Sequence, residues 1–437
     1  MDHQHGGDTE NKGSISLSGG VAMGTGVMIG AGIFALTGQI AQLAGPLFPL
    51  AFVVGGIITS FSAYSYVKMS NAFPSSGGIA MILQKAYGPG AIAAAAALLM
   101  VISESLVART FATYVLRPFD ITGGPLVPIL AVGVILFAFL VNIAGSRSVG
   151  LLSLIMAVLK IGGIALFGIA ALWASGFQFA AASTASGGFD ITGFIASVAL
   201  AILAFKGFTT ITNSGGEIIN PHRNVGRTII ISITICVVVY LIVAFAVGSS
   251  LTIDQIIAAK DYSLAEAAAP ALGNAGFYFT VVLAAVATAS GVLASVFAVS
   301  RMLAMLTDMN MIPHRHFGMS GPIRSHTLVY TVVIASILAV FFDLTRIASL
   351  GAFFYLIMDM IVHWGVLRFM RKEVEAKAFV IVLALLFDAV VLVAFTAMKL
   401  QSDPLIVVYA VIAITSVFVF QRIYLSRWTA PRPSEDH

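Results

Sequence analysis

The chain has 437 residues, a mean hydropathy of +1.01 and only 10% charged residues, against roughly 25% in soluble globular domains. This composition excludes a soluble protein and predicts an all-α polytopic membrane protein in contact with membrane lipid. A pI near 9.1 would suggest nucleic-acid binding in a soluble protein, but here we expect no nucleic-acid partner, because basic residues mark cytoplasmic loops. No zinc-helix or phosphate-loop motif occurs, so we expect neither a metal, nor a cofactor, nor an enzyme.

Apolar runs of about 20 residues predict twelve transmembrane helices. They cover residues 18–42, 47–70, 90–117, 125–144, 149–174, 191–213, 226–250, 274–307, 327–342, 346–369, 378–398 and 404–424. Lys and Arg are concentrated in the connections on one side, which predicts that both termini are cytoplasmic and that the protein is a multi-pass protein of the cell membrane. The longest connection on the other side, residues 251–273, is expected to form a short surface helix.

Two of the predicted helices are interrupted. Helix 1 carries four glycines within residues 24–34, and Gly costs roughly 1 kcal/mol against Ala inside a helix. Helix 6 is interrupted by Lys206 and Gly207, five helices later. Broken helices in corresponding positions of two halves are typical of a secondary transporter with its site at the midplane.

This pattern predicts two five-helix repeats of inverted topology followed by two extra helices. The expected organisation is an N-terminal cytoplasmic tail at 1–17, a first repeat at 18–174, a second repeat at 191–369, helices 11 and 12 at 378–424, and a C-terminal cytoplasmic tail at 425–437.

The residues in and around helices 1 and 6 resemble the amino acid, polyamine and organocation transporter family. Residues 26–34 are similar to that family's G-x-x-I-G-x-G-I-F signature, and residues 204–208 with 216–225 are similar to its F-x-G-F and E-x-x-N-P-x-[KR]-N segments. The similarity continues through residues 64–66, 74–78, 289–301 and 311–313. Within the family, the chain looks most like the prokaryotic proton-coupled amino acid transporters of broad specificity. The resemblance implies a LeuT-like core of ten helices with two peripheral helices.

The resemblance also implies that an amino acid binds between the interrupted parts of helices 1 and 6. Chemistry indicates the same place, because amide groups at the start of a half-helix suit a carboxylate and carbonyl groups freed by a break suit an ammonium. The candidate donors are Gly30, Ala31 and Gly32. The candidate carbonyls and aromatic contacts are Met28, Ile29, Phe205, Lys206 and Phe208.

Lys160 lies well inside predicted helix 5, where a cation is costly and a function is the default expectation. It matches the helix 5 lysine of the family, which implies a role in proton coupling. Burial favours the neutral amine, whereas the carbonyl of Gly26 and the hydroxyl of Ser290 would stabilise the ammonium. The alternative is that the lysine extends its ammonium to the cytoplasmic interface.

Other charges in the membrane have two interpretations each. Glu104 and Arg109 could pair with each other or with other helices. Asp359 and His363 share one face of helix 10 and could relay a proton or form a satisfied polar patch. Asp388, in helix 11, is expected to have only a structural or oligomer-contact role.

Lys206 departs from the family, which usually has an apolar residue between the aromatic residue and Gly207. A lysine here must be neutral, reach water or meet an anion. It could face the substrate and repel cationic amino acids, but we expect it to pair with Glu104 or Asp359.

Together these features predict a proton-coupled amino acid symporter that works by alternating access. An amino acid exchanger on the same fold and an amino acid receptor that does not transport remain alternatives. Neither the side-chain specificity nor the oligomeric state follows from the sequence.

Overall fold

The computed structural model describes residues 13–183, 190–313 and 323–428. Within these ranges the chain is almost entirely helical, and its one isolated β-bridge joins Ile15 to Ile218. The helices are α1 Leu17–Val27, α2 Phe34–Ala44, α3 Phe48–Ala72, α4 Gly78–Tyr87, α5 Ala91–Leu98, α6 Ser103–Leu116, α7 Leu126–Ile143, α8 Ser146–Ala174, α9 Ala180–Ser183, α10 Ile191–Phe205, α11 Phe208–Asn213, α12 Pro221–Ser250, α13 Ile253–Ala258, α14 Ser263–Asp308, α15 Ile323–Phe341, α16 Leu344–Gly365, α17 Ala378–Ser402 and α18 Pro404–Trp428.

Hydropathy explains most of this architecture. Nine helical segments of the described chain are long and apolar enough to cross a bilayer, because a span needs about 20 apolar residues. The first half of helix 1 and predicted helix 9 form shorter apolar helices. Predicted helix 3 is divided into α5 and α6 by the 3₁₀ turn Leu99–Ile102. The fold is therefore an all-α polytopic membrane protein, while the inverted repeats and the cytoplasmic termini stay predictions.

The interruption predicted in helix 1 is present in a specific form. The segment Met28–Ile33, between α1 and α2, is π-helical rather than unwound. A π-helical turn widens the helix, and such turns are frequent at functional sites. At the start of α1, the Ser16 hydroxyl accepts a hydrogen bond from the Gly19 amide at 3.1 Å. The glycines thus change the shape of the turn while the backbone stays helical.

The interruption of helix 6 is a tight turn between α10 and α11. The amide of Lys206 donates to the carbonyl of Leu203 at 3.1 Å, and the amide of Thr210 donates to the carbonyl of Gly207 at 3.1 Å. These i to i−3 bonds are of the 3₁₀ type. The turn thus satisfies the Lys206 amide and the Gly207 carbonyl internally, as an irregular segment at membrane depth requires of its backbone groups.

Two further helices connect the spans. The single surface helix predicted in residues 251–273 is instead two partly buried helices, α13 and the first part of α14, which bends at Gly273 (φ 67°) before its long span. The sequence did not predict α4, because ten residues are too few for a hydropathy signal. The amide of Ile79 in α4 donates to Asn213 Oδ1 at 3.0 Å. This bond ties α4 to the end of helix 6.

The acidic turn before α14 gives a stability prediction. Burial raises the pKa of Asp261, which lies between α13 and α14. The folded protein therefore holds this proton at pH values where the unfolded chain has released it, so stability falls as the pH rises through the raised pKa. Asp261→Asn should raise the midpoint of thermal unfolding at pH 7 and leave it unchanged at a pH below the unfolded value. An equal effect of the substitution at both pH values would contradict this assignment.

Candidate functional site

A small cavity lies between α1, α6, α10 and α16, which belong to predicted helices 1, 3, 6 and 10. Its volume is about 20 Å³, which is room for one water molecule. Its lining is mostly aliphatic and includes Val27, Leu106, Val107, Leu203, Ala204, Lys206, Gly207, Ile347, Gly351 and Tyr355. Because an amino acid is larger than this space, the structure has the geometry of a closed state. Substrate binding at this place requires the surrounding helices to move apart.

Tyr240 of α12 connects the two interrupted helices. Its hydroxyl lies 2.5 Å from the carbonyl oxygen of Met28 and 2.9 Å from that of Ala204. The hydroxyl has one proton to donate, so it is shared between a helix 1 and a helix 6 carbonyl. The sequence gave no signal for this residue, since one tyrosine in an apolar helix is ordinary. The carbonyl of Met28 therefore has at most one of its two lone pairs engaged by Tyr240.

The glycines of the π-helical segment allow close backbone packing. A Cβ atom at Gly30 would lie 2.6 Å from the carbonyl oxygen of Ala287 in α14. A Cβ atom at Gly32 would lie 2.6 Å from the carbonyl oxygen of Ala204. Ala31 lies between them in the same π-helical segment, and Ile29 is fully buried. The segment is thus pressed against two other helices in this closed state.

The residues predicted in helix 6 lie beside the cavity or behind it. The carbonyl of Lys206 accepts from the amide of Thr209 at 3.0 Å and from its hydroxyl at 2.7 Å. Phe205 and Phe208 are fully buried. The ring of Phe205 packs on Tyr240 with centroids 4.8 Å apart, and that of Phe208 meets the ring of Tyr66 edge-on at 5.2 Å. The two phenylalanines therefore pack the turn against α3, which carries Tyr66, and α12, which carries Tyr240.

Lys160 is fully buried in α8, beside helix 1. Its Nζ has no hydrogen-bond partner among the described residues, and neither has the Ser290 hydroxyl. A Cβ atom at Gly26 would lie 3.1 Å from both of these atoms. The three residues predicted for proton coupling thus lie together, next to the start of the π-helical segment. Because a buried ammonium without acceptors is unfavourable, the geometry suits a neutral amine in this conformation.

The predicted partner of Lys206 is confirmed. Its Nζ forms an ion pair with Asp359 Oδ2 of α16 and donates to the Ser62 hydroxyl at 3.1 Å. Asp359 also accepts from the Tyr66 hydroxyl at 2.6 Å and from Ser62 at 3.0 Å. Both charged side chains are almost fully buried. The other candidate, Glu104, is also buried but is not the partner of this lysine.

Of the two roles expected for Asp388, structural or oligomer contact, the oligomer contact is wrong. The residue is fully buried, and its Oδ2 lies 3.5 Å from His363 Nε2. The reason is that α17 packs against α3, α10 and α16, so this face of helix 11 is inside the protein. Ligand atoms of Asp359, His363 and Asp388 lie within 4.8 Å of one another. A metal ion there is disfavoured, because the Lys206 ammonium is already bound to Asp359.

Arg109, a further intramembrane cation, bonds to a neighbouring helix. Its Nη1 donates to the carbonyl oxygen of Ala339 in α15 at 2.9 Å. The guanidinium thus fixes α6 to α15, one of the two arrangements expected from the sequence.

Comparison with known proteins decides the family. A sequence model described as amino acid permease matches residues 15–424, which is nearly the whole described chain. The chain belongs to the amino acid permease family. The resemblance seen in helices 1 and 6 is thereby confirmed.

Several amino acid permeases and related transporters are similar to this permease over most of its length. The inner membrane transport protein YbaT of Escherichia coli is 28% identical over 370 residues, covering 83% of this chain and 85% of the relative. The branched-chain amino acid permease BcaP of Lactococcus lactis is 26% identical and covers 78% of each chain. The serine/threonine exchanger SteT of Bacillus subtilis is 22% identical and covers 52% of each chain.

Proposed function

We propose that this permease is a proton-coupled amino acid symporter that works by alternating access, with Lys160 as its proton-coupling residue. The observation that carries the proposal is the position of Lys160. It is buried without a hydrogen-bond partner among the described residues and borders Gly26 on helix 1. A movement of helix 1 therefore changes the surroundings of the amine, and with them its affinity for a proton.

The substrate is an amino acid held mainly by backbone groups. The amides of Gly30, Ala31 and Gly32 would bind its carboxylate, and the carbonyls of Ile29 and Phe205 would bind its ammonium. The second lone pair of the Met28 carbonyl would join them, and the carbonyl of Lys206 would join when Thr209, which donates to it twice, releases it. The aliphatic cavity lining supports a neutral side chain.

The closed geometry supports alternating access. The cavity of about 20 Å³ is too small for an amino acid. In alternating access, such a closed state lies between one state open to the outside and one open to the inside. Tyr240 stabilises this closed state, because its hydroxyl contacts both interrupted helices.

An exchanger is the second candidate function. One relative is named as a serine/threonine exchanger, and an exchanger needs the same carboxylate and ammonium contacts. The two differ in what drives net movement: a symporter accumulates substrate with a proton gradient alone, whereas an exchanger needs amino acid on the other side.

The test uses purified protein in liposomes. A competition screen by thermal unfolding first identifies amino acids that bind, since a ligand of the folded state raises stability. Uptake of the strongest binder is then measured with and without an imposed proton gradient, and with and without internal amino acid. Accumulation in empty liposomes that a protonophore abolishes supports symport. Uptake that requires internal amino acid and ignores the gradient establishes exchange instead.

Lys160→Ala should abolish proton-driven accumulation in these liposomes. The backbone groups that bind the substrate are unchanged, so the variant should still be stabilised by the amino acid in thermal unfolding. The matched control is Lys399→Ala, which removes another largely buried lysine from α17. Undiminished uphill uptake by Lys160→Ala would disprove the coupling role.

A further inference from the structure

Asp388 is a buried carboxyl group that lacks the contacts a carboxylate needs. Neither oxygen has a hydrogen-bond partner among the described residues, and the side chain is fully buried in α17. The nearest basic atom is His363 Nε2 at 3.5 Å, beyond ordinary hydrogen-bond length. An unpaired buried carboxylate is very costly, whereas the protonated acid carries no charge. The geometry therefore fits an Asp388 that holds a proton.

His363 connects this group to the rest of the molecule. Its Nδ1 lies 3.0 Å from the Ser65 hydroxyl and its Nε2 lies 3.1 Å from the Ser62 hydroxyl. Ser62 also contacts Asp359 at 3.0 Å. The Ser62 hydroxyl has one proton, so it can donate to the Asp359 carboxylate or to the imidazole, but not to both at once. It donates to Asp359 in this state, so the Ser62 hydroxyl does not occupy the nitrogen lone pair that would accept a proton from Asp388.

The ionisable groups that face this pair come from four elements. Lys206 follows α10, Tyr66 lies in α3, Asp359 lies beside His363 in α16, and Asp388 itself lies in α17. The charges of Lys206 and Asp359 cancel in their ion pair. With one proton beyond that of the neutral imidazole, Asp388 and His363 together have no net charge, whichever of them holds it. Without that proton they carry one unbalanced negative charge. The cluster thus has a place for one exchangeable proton.

We propose that Asp388 and His363 form a proton-binding site, distinct from Lys160, that is linked through Ser62 to the Lys206–Asp359 pair beside the substrate cavity. The proton rests on Asp388 in this closed state. When helix 6 moves, Lys206 shifts away from Asp359, the unbalanced Asp359 carboxylate stabilises a positive charge on His363, and the imidazole takes the proton from Asp388. No bond other than that of the proton changes. The proton-binding part stands alone, and the link to substrate rests on the proposed function.

Infrared spectroscopy of the purified protein tests the proton-binding part. A protonated carboxyl group has a C=O stretching band that a carboxylate lacks, so spectra are compared at neutral pH in water and deuterium oxide. The wild type should show a carboxylic acid band that Asp388→Asn lacks and Lys160→Ala retains. Asp343→Asn, which changes an exposed carboxylate, is the matched control and should leave the band unchanged. Identical acid bands in the wild type and Asp388→Asn would overturn the assignment.

His363→Gln tests whether the histidine belongs to the site. The substitution keeps a polar side chain but removes the only base beside Asp388 among the described residues, so the acid band should persist to higher pH than in the wild type. A purely structural histidine would leave this titration unmoved, and that result would remove His363 from the site. These spectra are recorded without substrate, so they test proton binding independently of transport. The site can be confirmed even if the protein is not a symporter, and a failure of the site would leave the proposed symport standing.

The link to substrate is measured as a difference spectrum. Adding the strongest-binding amino acid from the screen should change the Asp388 band in the wild type and cause no such change in Lys206→Met, which cannot signal through Asp359. A band that never responds to the amino acid would restrict the site to proton binding and overturn its coupling to the cavity.

Discussion

Replacing Lys206 by methionine should lower the free energy of unfolding by about 3–5 kcal/mol, the usual result of removing one partner of a buried ion pair. Asp359 would keep Tyr66 and Ser62 as donors but lose the only cation beside it among the described residues. Methionine matches the length of the lysine stem, so lost packing contributes little. Thermal or chemical unfolding in detergent measures the loss.

The double variant Lys206→Met with Asp359→Asn should recover most of this stability, because the charge left alone by the first substitution is removed by the second. Lys160→Met is the matched control. It removes a second fully buried lysine that has no hydrogen-bond partner among the described residues, and Asp359→Asn should not rescue it. If Lys206→Met is as stable as the wild type and newly binds lysine or arginine, then Lys206 faces the substrate and the ion pair is not its role.

Sequence reasoning succeeded where the bilayer itself imposes the answer. A span needs about 20 apolar residues, so hydropathy alone located the long helices. An ammonium at membrane depth needs an anion, and this rule reduced the partners of Lys206 to two carboxylates, of which Asp359 is the one found. Both results depend on the free-energy cost of a polar or charged group without a partner in lipid. That cost is large and depends only on the immediate surroundings of the group, so it can be judged from the sequence.

Sequence reasoning failed where the answer depends on how a helix is rotated. Asp388 was placed outside the core because α17 follows the two repeats, but the packing of α17 on α16 turns this residue toward His363. Tyr240 was missed for the same reason, since its role exists only when Met28 and Ala204 are brought together. The glycines of helix 1 predicted an interruption but not its π-helical form, which packs against α14.

The substrate-binding residues remain predictions. In the closed state the π-helical turn is tightly packed, and its amides would reach a carboxylate only after the helices separate. The same packing changes how the glycines can be tested. A large side chain at Gly32 would damage the fold as well as the site, so the informative substitution is the smallest one.

Gly32→Ala should lower the free energy of unfolding by about 1–3 kcal/mol, the usual cost of inserting a methyl group into a packed interior. The added Cβ would stand 2.6 Å from the carbonyl oxygen of Ala204 and would also displace the Tyr240 hydroxyl. The matched control is Gly133→Ala in α7, where an added Cβ meets nothing within 4 Å.

At that open helical position alanine should stabilise the protein by roughly 0.5–1 kcal/mol, so the two glycine substitutions should have opposite signs. Because the closed state is the one that Gly32→Ala crowds, the variant should also favour conformations in which helices 1 and 6 are apart. A cysteine-reactive probe at Cys236, which is fully buried in this state, reports that change: it should react faster in Gly32→Ala than in Gly133→Ala. Equal stability of the two variants would show that helix 1 does not press on Ala204 as the structure places it.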